Sequence, residues 1–99
     1  MADEIGSLLN ETITLQATPS SIVRWLGGEG IAIMEGTFNG ATMTLQIRSS
    51  VDGAFVSMGS DAELVADGVV AFVASHGTDL RIEASVADPT GVDVSILVV

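Results

Sequence analysis

Short runs in which apolar and polar residues alternate, each closed by a glycine-bearing turn, fill this chain from about residue 12 to its end. The turns are Asn39-Gly40, Asp52-Gly53, Asp67-Gly68, His76-Gly77 and Pro89-Thr90-Gly91. A period of two puts successive side chains on opposite faces of a strand, and closely spaced turns leave no room for helices. The expected fold is therefore all-β: a compact β-sandwich or barrel, jelly-roll-like, of about eight short antiparallel strands. Residues 1–11 lack a clean period and read as an N-terminal arm, with residues 12–99 as one β domain. The whole chain is 99 residues long, enough for one core and too little for two.

Individual runs make the expectation specific. In Thr12 to Ala17, Ile13, Leu15 and Ala17 point inward. Ile22 to Leu26 is a short strand, and Gly27 to Gly30 a flexible loop. Asn39-Gly40 is the strongest hairpin signal, because a primed turn needs positive φ at both positions. Met43, Leu45 and Ile47 face the core from Ala41–Arg48, while Thr42, Thr44, Gln46 and Arg48 face out. Asp61 to Val65 is a weak strand. Val69 to Ala74 is nearly all apolar and reads as buried on both faces. Leu80, Ile82, Ala84 and Val86 alternate with polar neighbours. The final run, Val92–Val99, ends wholly apolar and must be central in a sheet or covered, since as a bare edge it would aggregate.

Few residues carry reactive chemistry. Without cysteine, thiolate catalysis, disulfides and sulfur-ligated metals are excluded. With one histidine, no His-pair metal site forms. Ser75, His76 and Asp79 lie close in sequence, but adjacent strand residues point to opposite faces, which places Ser75 and His76 badly for a nucleophile and its base. The acids do not form a D-x-D-x-D-G calcium loop, and Gly27-Gly28-Glu29-Gly30 lacks the Lys-Ser/Thr of a phosphate loop. Asn10-Glu11-Thr12 fits a glycosylation tripeptide by chance. The expectation is a non-enzymatic protein with no cofactor and no metal.

Charge and hydropathy point to protein partners. Thirteen acids against three arginines give a net charge of −10, which argues against nucleic acid and anionic lipid. No apolar run reaches 18 residues, so no membrane-spanning helix is expected. Residues 1–4, Met-Ala-Asp-Glu, do not resemble a signal peptide, which implies synthesis in the cytoplasm. Yet hydrophobic residues make up 47% of the chain and mean hydropathy is +0.55. That excess reads as surface covered by a partner, most simply another copy. The candidate interface comprises Ile5, Leu8 and Leu9 in the arm and Val94, Ile96, Leu97, Val98 and Val99 at the end. Trp25 reads first as a core side chain and second as an interface anchor. Met34, Met43 and Met58 read as core fillers.

Two stretches carry a resemblance. Gly36-Thr37-Phe38-Asn39-Gly40-Ala41-Thr42-Met43-Thr44-Leu45-Gln46 is followed by Ser50-Val51-Asp52-Gly53-Ala54-Phe55-Val56-Ser57-Met58-Gly59. Together with the strands Leu80–Val86 and Val92–Val99, they resemble small β-rich virion proteins of tailed bacteriophages, with Phe38 where a tryptophan is expected. The resemblance spans residues 22–99 and implies a structural role in the particle. It most suggests a capsid decoration, or cement, protein: a homo-oligomer, a trimer for preference, that binds and stabilises the shell of major capsid protein. The alternative is a carbohydrate- or receptor-binding module of a phage tail or fibre, with Trp25, Phe38 and Phe55 as exposed platforms.

Overall fold

Alternation in the sequence becomes alternation in burial. In the last strand Val92, Val94 and Ile96 are fully buried, while Asp93 is exposed and Ser95 and Leu97 are half-exposed. The computed structural model describes residues 7–49 and 53–99. Its strands are β1 (Ser7–Ile13), β2 (Val23–Arg24), β3 (Gly28–Thr37), β4 (Thr42–Arg48), β5 (Val56–Ser57), β6 (Glu63–Leu64), β7 (Gly68–Ala74), β8 (Asp79–Ser85) and β9 (Gly91–Val98), with a 3-10 turn at Ser60–Ala62.

These strands form two antiparallel sheets. One has the order β1-β9-β3-β7; the other has β2-β8-β4-β5, with β6 also pairing β4. With β5 and β6 sharing one place, this is the strand order of a double-sheet jelly roll. The connections β3 to β4, β6 to β7, β7 to β8 and β8 to β9 each cross from one sheet to the other. The core lies between the sheets. It is built on Trp25, Met34, Met43, Leu45, Leu80, Ile82, Val94 and Ile96, each with no exposed surface. Met58 packs against its rim.

Packing explains where the chain departs from its local signals. Asn39 and Gly40 both have positive φ, 51° and 83°, and the Ala41 N–H bonds the Phe38 carbonyl at 2.9 Å. The turn is as expected, but β3 and β4 do not pair. Phe38 and Ala41 are both buried, so the turn carries the chain across the core instead of making a hairpin. The run from Thr12 stops at Ile13, where the chain leaves the sheet. Leu15 is 54% exposed and Ala17 turns with φ 60°, its N–H bonded to the Ala84 carbonyl. Val86, expected inward, is exposed with φ 75° just beyond β8.

Two larger corrections concern the four-stranded sheet. Residues 7–11 are not an arm: they belong to β1, paired with β9, with a register shift between Ser7 and Leu9. Nor is β7 buried on both faces. It is an edge strand whose Val70, Phe72 and Ala74 face the core while Val69, Ala71 and Val73 face out. The apolar tail of β9 is central, between β1 and β3, as its composition requires.

Glycine is demanded at Gly30. A Cβ there would lie 2.6 Å from both Trp25 Cζ2 and Phe72 Cζ. The two rings stand 4.9 Å apart at 56°, and the indole N–H donates to the Gly28 carbonyl at 3.1 Å. The bare backbone of β3 thus makes room for the largest side chain of the core.

Candidate interaction surfaces

The outward face of the four-stranded sheet is apolar over most of its width. Residues directly opposite in an antiparallel pair share a face, so the register gives its rows. Ala71, Ile31 and Leu97 form one row; Val69, Ile33, Ser95 and Asn10 form the next. Val73 pairs Glu29, and the Val99 N–H bonds the Glu29 carbonyl at 3.3 Å, which sets the C-terminus at this end of the band. Val69, Val73 and Val99 are 57%, 70% and 75% exposed, too open to be part of the core. Both ends of the band are acidic: Glu29 stands exposed beside Val73 at one end. At the other, Glu35 and Asp93 are directly paired and both exposed, and Asp93 accepts a 2.6 Å hydrogen bond from the Thr12 hydroxyl. The strands that bear all three arginines lie in the other sheet.

On that second sheet the arginines are tied down. Asp79 faces outward yet is only 2% exposed, because Arg24 Nε and Arg48 Nε close on its two oxygens at 2.8 and 2.9 Å. The Phe55 ring lies beneath the guanidinium groups of Arg48 and Arg81, 4.6 and 4.1 Å from its centroid. Arg81 Nε donates to Gln46 Oε1 at 2.6 Å, and Gln46 Nε2 donates to Glu83 at 3.2 Å. Each charge has a partner, so this face is a polar clasp holding β2, β8 and β4 together.

The candidate interface residues divide accordingly. Ile5 lies outside the described residues. Leu9, Trp25, Val94 and Ile96 are buried inside the sandwich and are not available to a partner. Their parity decides this: Val94 and Ile96 alternate inward, leaving Leu97 outward. Leu8, at the register shift in β1, is 38% exposed; Val98 and Val99 are exposed at the end of β9. The residues that complete the band, Ile31, Ile33, Val69, Ala71 and Val73, were not signalled. An uninterrupted apolar run does not tell which parity meets the core. Sugar platforms are also lost: Trp25 and Phe38 are buried and Phe55 is covered by two arginines.

His76 is exposed in the β7–β8 turn, where the Thr78 N–H and hydroxyl both donate to the Ser75 carbonyl. The Asp79 carboxylate is engaged by the arginines and leaves Ser75 and His76 without a triad acid. Among the described residues, no three His, Asp or Glu side chains gather in a metal-binding group. No protein-family model matches the chain, and no curated protein or solved structure matches it either.

Proposed function

We propose that the chain is a non-enzymatic structural protein of a virion, a capsid decoration protein that attaches as an oligomer to the shell of major capsid protein. The observation that carries this reading is the outward face of the four-stranded sheet. There Ile31, Ile33, Val69, Val73, Leu97 and Val99 offer a contiguous apolar surface. Contiguous apolar surface on so small a domain marks a site of protein contact. The acidic margin at Glu35 and Asp93 then selects a partner whose rim is basic. Two further features support it. The sequence resembles small virion proteins along residues 22–99, and the jelly-roll order is one that viral capsid domains use. The same order serves lectins, so topology supports the reading only together with the surface. The test is mass spectrometry of gradient-purified virus particles from the chain's source. The chain should be present in many copies per particle, and its absence from particles would overturn the assignment.

A further inference from the structure

Asn39 and Gly40 are both exposed on the turn that carries the chain from β3 in one sheet to β4 in the other. Asparagine is a chemically labile residue, and a following glycine, having no side chain, leaves the next backbone nitrogen unhindered. The Gly40 nitrogen can then attack Asn39 Cγ. A new C–N bond forms, the bond from Cγ to the side-chain nitrogen breaks, and ammonia leaves. Water opens the resulting succinimide at one carbonyl to give aspartate, or at the other to give iso-aspartate. The chain's other asparagine, Asn10, precedes Glu11, whose side chain obstructs the same attack.

The folded turn holds the reacting atoms apart. A φ of 51° puts Asn39 in the left-handed region, where ψ is about 30–60°. There the Gly40 nitrogen lies nearly anti to Cβ about the Cα–C bond, whereas the succinimide ring needs the two nearly eclipsed. The Ala41 N–H closes the turn on the Phe38 carbonyl at 2.9 Å. The Asn39 side-chain amide donates to the Asp88 carbonyl at 3.2 Å, and beside it the Thr90 N–H donates to the Thr37 carbonyl at 3.1 Å. Phe38 and Ala41 flank the pair at 6% and 0% exposure, so the turn cannot open without drawing both from the core.

We propose that Asn39 is a deamidation site which the fold keeps closed, so that its reaction marks a chain that has unfolded. The mark is lasting because the product no longer fits the turn. A carboxylate at position 39 is an acceptor only and cannot donate to the Asp88 carbonyl. The iso-aspartate form adds a backbone atom between Phe38 and Ala41, whose burial fixes the length of the crossover. The site stands or falls independently of the virion reading.

Peptide mapping by mass spectrometry tests it, on the full-length chain incubated at mildly alkaline pH in buffer and in urea above the unfolding midpoint. In buffer Asn39 should react at less than about a tenth of its rate in urea, because only opened chains react. Asn10 should react more slowly than Asn39 in urea. Gly30→Ala, which crowds Trp25 and Phe72 away from the turn, should lower the urea concentration at which Asn39 begins to react, in step with its own unfolding midpoint. When partly reacted chain is returned to buffer, the refolded fraction should be depleted in iso-aspartate relative to the fraction that stays unfolded. A buffer rate above a tenth of the urea rate overturns the proposal, as does an unfolded chain that keeps Asn39 intact or loses Asn10 as fast. So does a Gly30→Ala midpoint shift that the reaction does not follow, or iso-aspartate spread evenly between the two fractions.

Discussion

Replacing Trp25 with alanine separates a core role from a binding role more sharply than any other substitution. The indole has no exposed surface, packs against Phe72 at 4.9 Å and donates to the Gly28 carbonyl at 3.1 Å. Truncating a buried Trp removes its transfer energy and leaves a cavity, about 3–5 kcal/mol in total, which includes roughly 1 kcal/mol from the aromatic pair. Gly30 and Phe72, which wall the site, cannot fill it: one has no side chain and the other is a rigid ring held by β7. A loss of about 4 kcal/mol is a large part of the roughly 5–15 kcal/mol that holds a domain of this size. The urea midpoint, followed by far-ultraviolet circular dichroism, should fall by about 2–3 M, and Tm by roughly 15–30 °C. Trp25→Phe keeps the ring contact and loses the indole hydrogen bond, for about 1–2 kcal/mol. Wild-type tryptophan emission should be blue-shifted and resistant to soluble quenchers. A loss below about 1 kcal/mol for Trp25→Ala, the level of a surface change, would refute the placement of the indole and restore it as a candidate platform.

Other substitutions test the surrounding arrangement. Gly30→Ala should cost about 1–3 kcal/mol by overpacking against Trp25 and Phe72, read from the shift in urea midpoint at constant slope. Asp79→Ala strands Arg48, which is only 16% exposed, and should cost about 2–3 kcal/mol. Arg24→Ala, at 56% exposure, should cost under about 1 kcal/mol by the same titration. Leu97→Glu with Val99→Glu should leave the urea midpoint within the range of about 1 kcal/mol, because the two side chains point away from the core.

The fold was legible because burial followed parity in the strands that polar residues marked; Thr12–Ala17 is the exception, since the strand ends at Ile13 and Leu15 and Ala17 lie beyond it. β4, β8 and β9 each carry polar residues on one face, so their inward residues could be read with only Val86, beyond the end of β8, misplaced. Parity failed where the marks were missing. In Val69–Ala74 both faces are apolar, and a surface built to be covered looks the same in sequence as a strand buried on both sides. Asn39-Gly40 fixed a turn type correctly but not its partner strands, since two buried neighbours, Phe38 and Ala41, decide which sheet the chain enters. The Arg24–Asp79–Arg48 clasp was invisible because it joins residues far apart in the chain through strand order alone. The candidate interface residues divide for a related reason: composition marks the end of β9 as apolar, but only the register shows that Leu97 faces out while Val94 and Ile96 face in.

Rebinding to virus particles tests most directly whether the outward face of the four-stranded sheet docks on a capsid shell. Particles from the chain's source, stripped of the protein by mild denaturant, would be incubated with purified wild-type chain or the Leu97→Glu/Val99→Glu variant, and bound chain counted after gradient sedimentation. The wild-type chain should re-coat the shell to saturation, and the folded variant should stay in the supernatant. Equal binding of both, or binding of neither to shells that carried the protein before stripping, would contradict it.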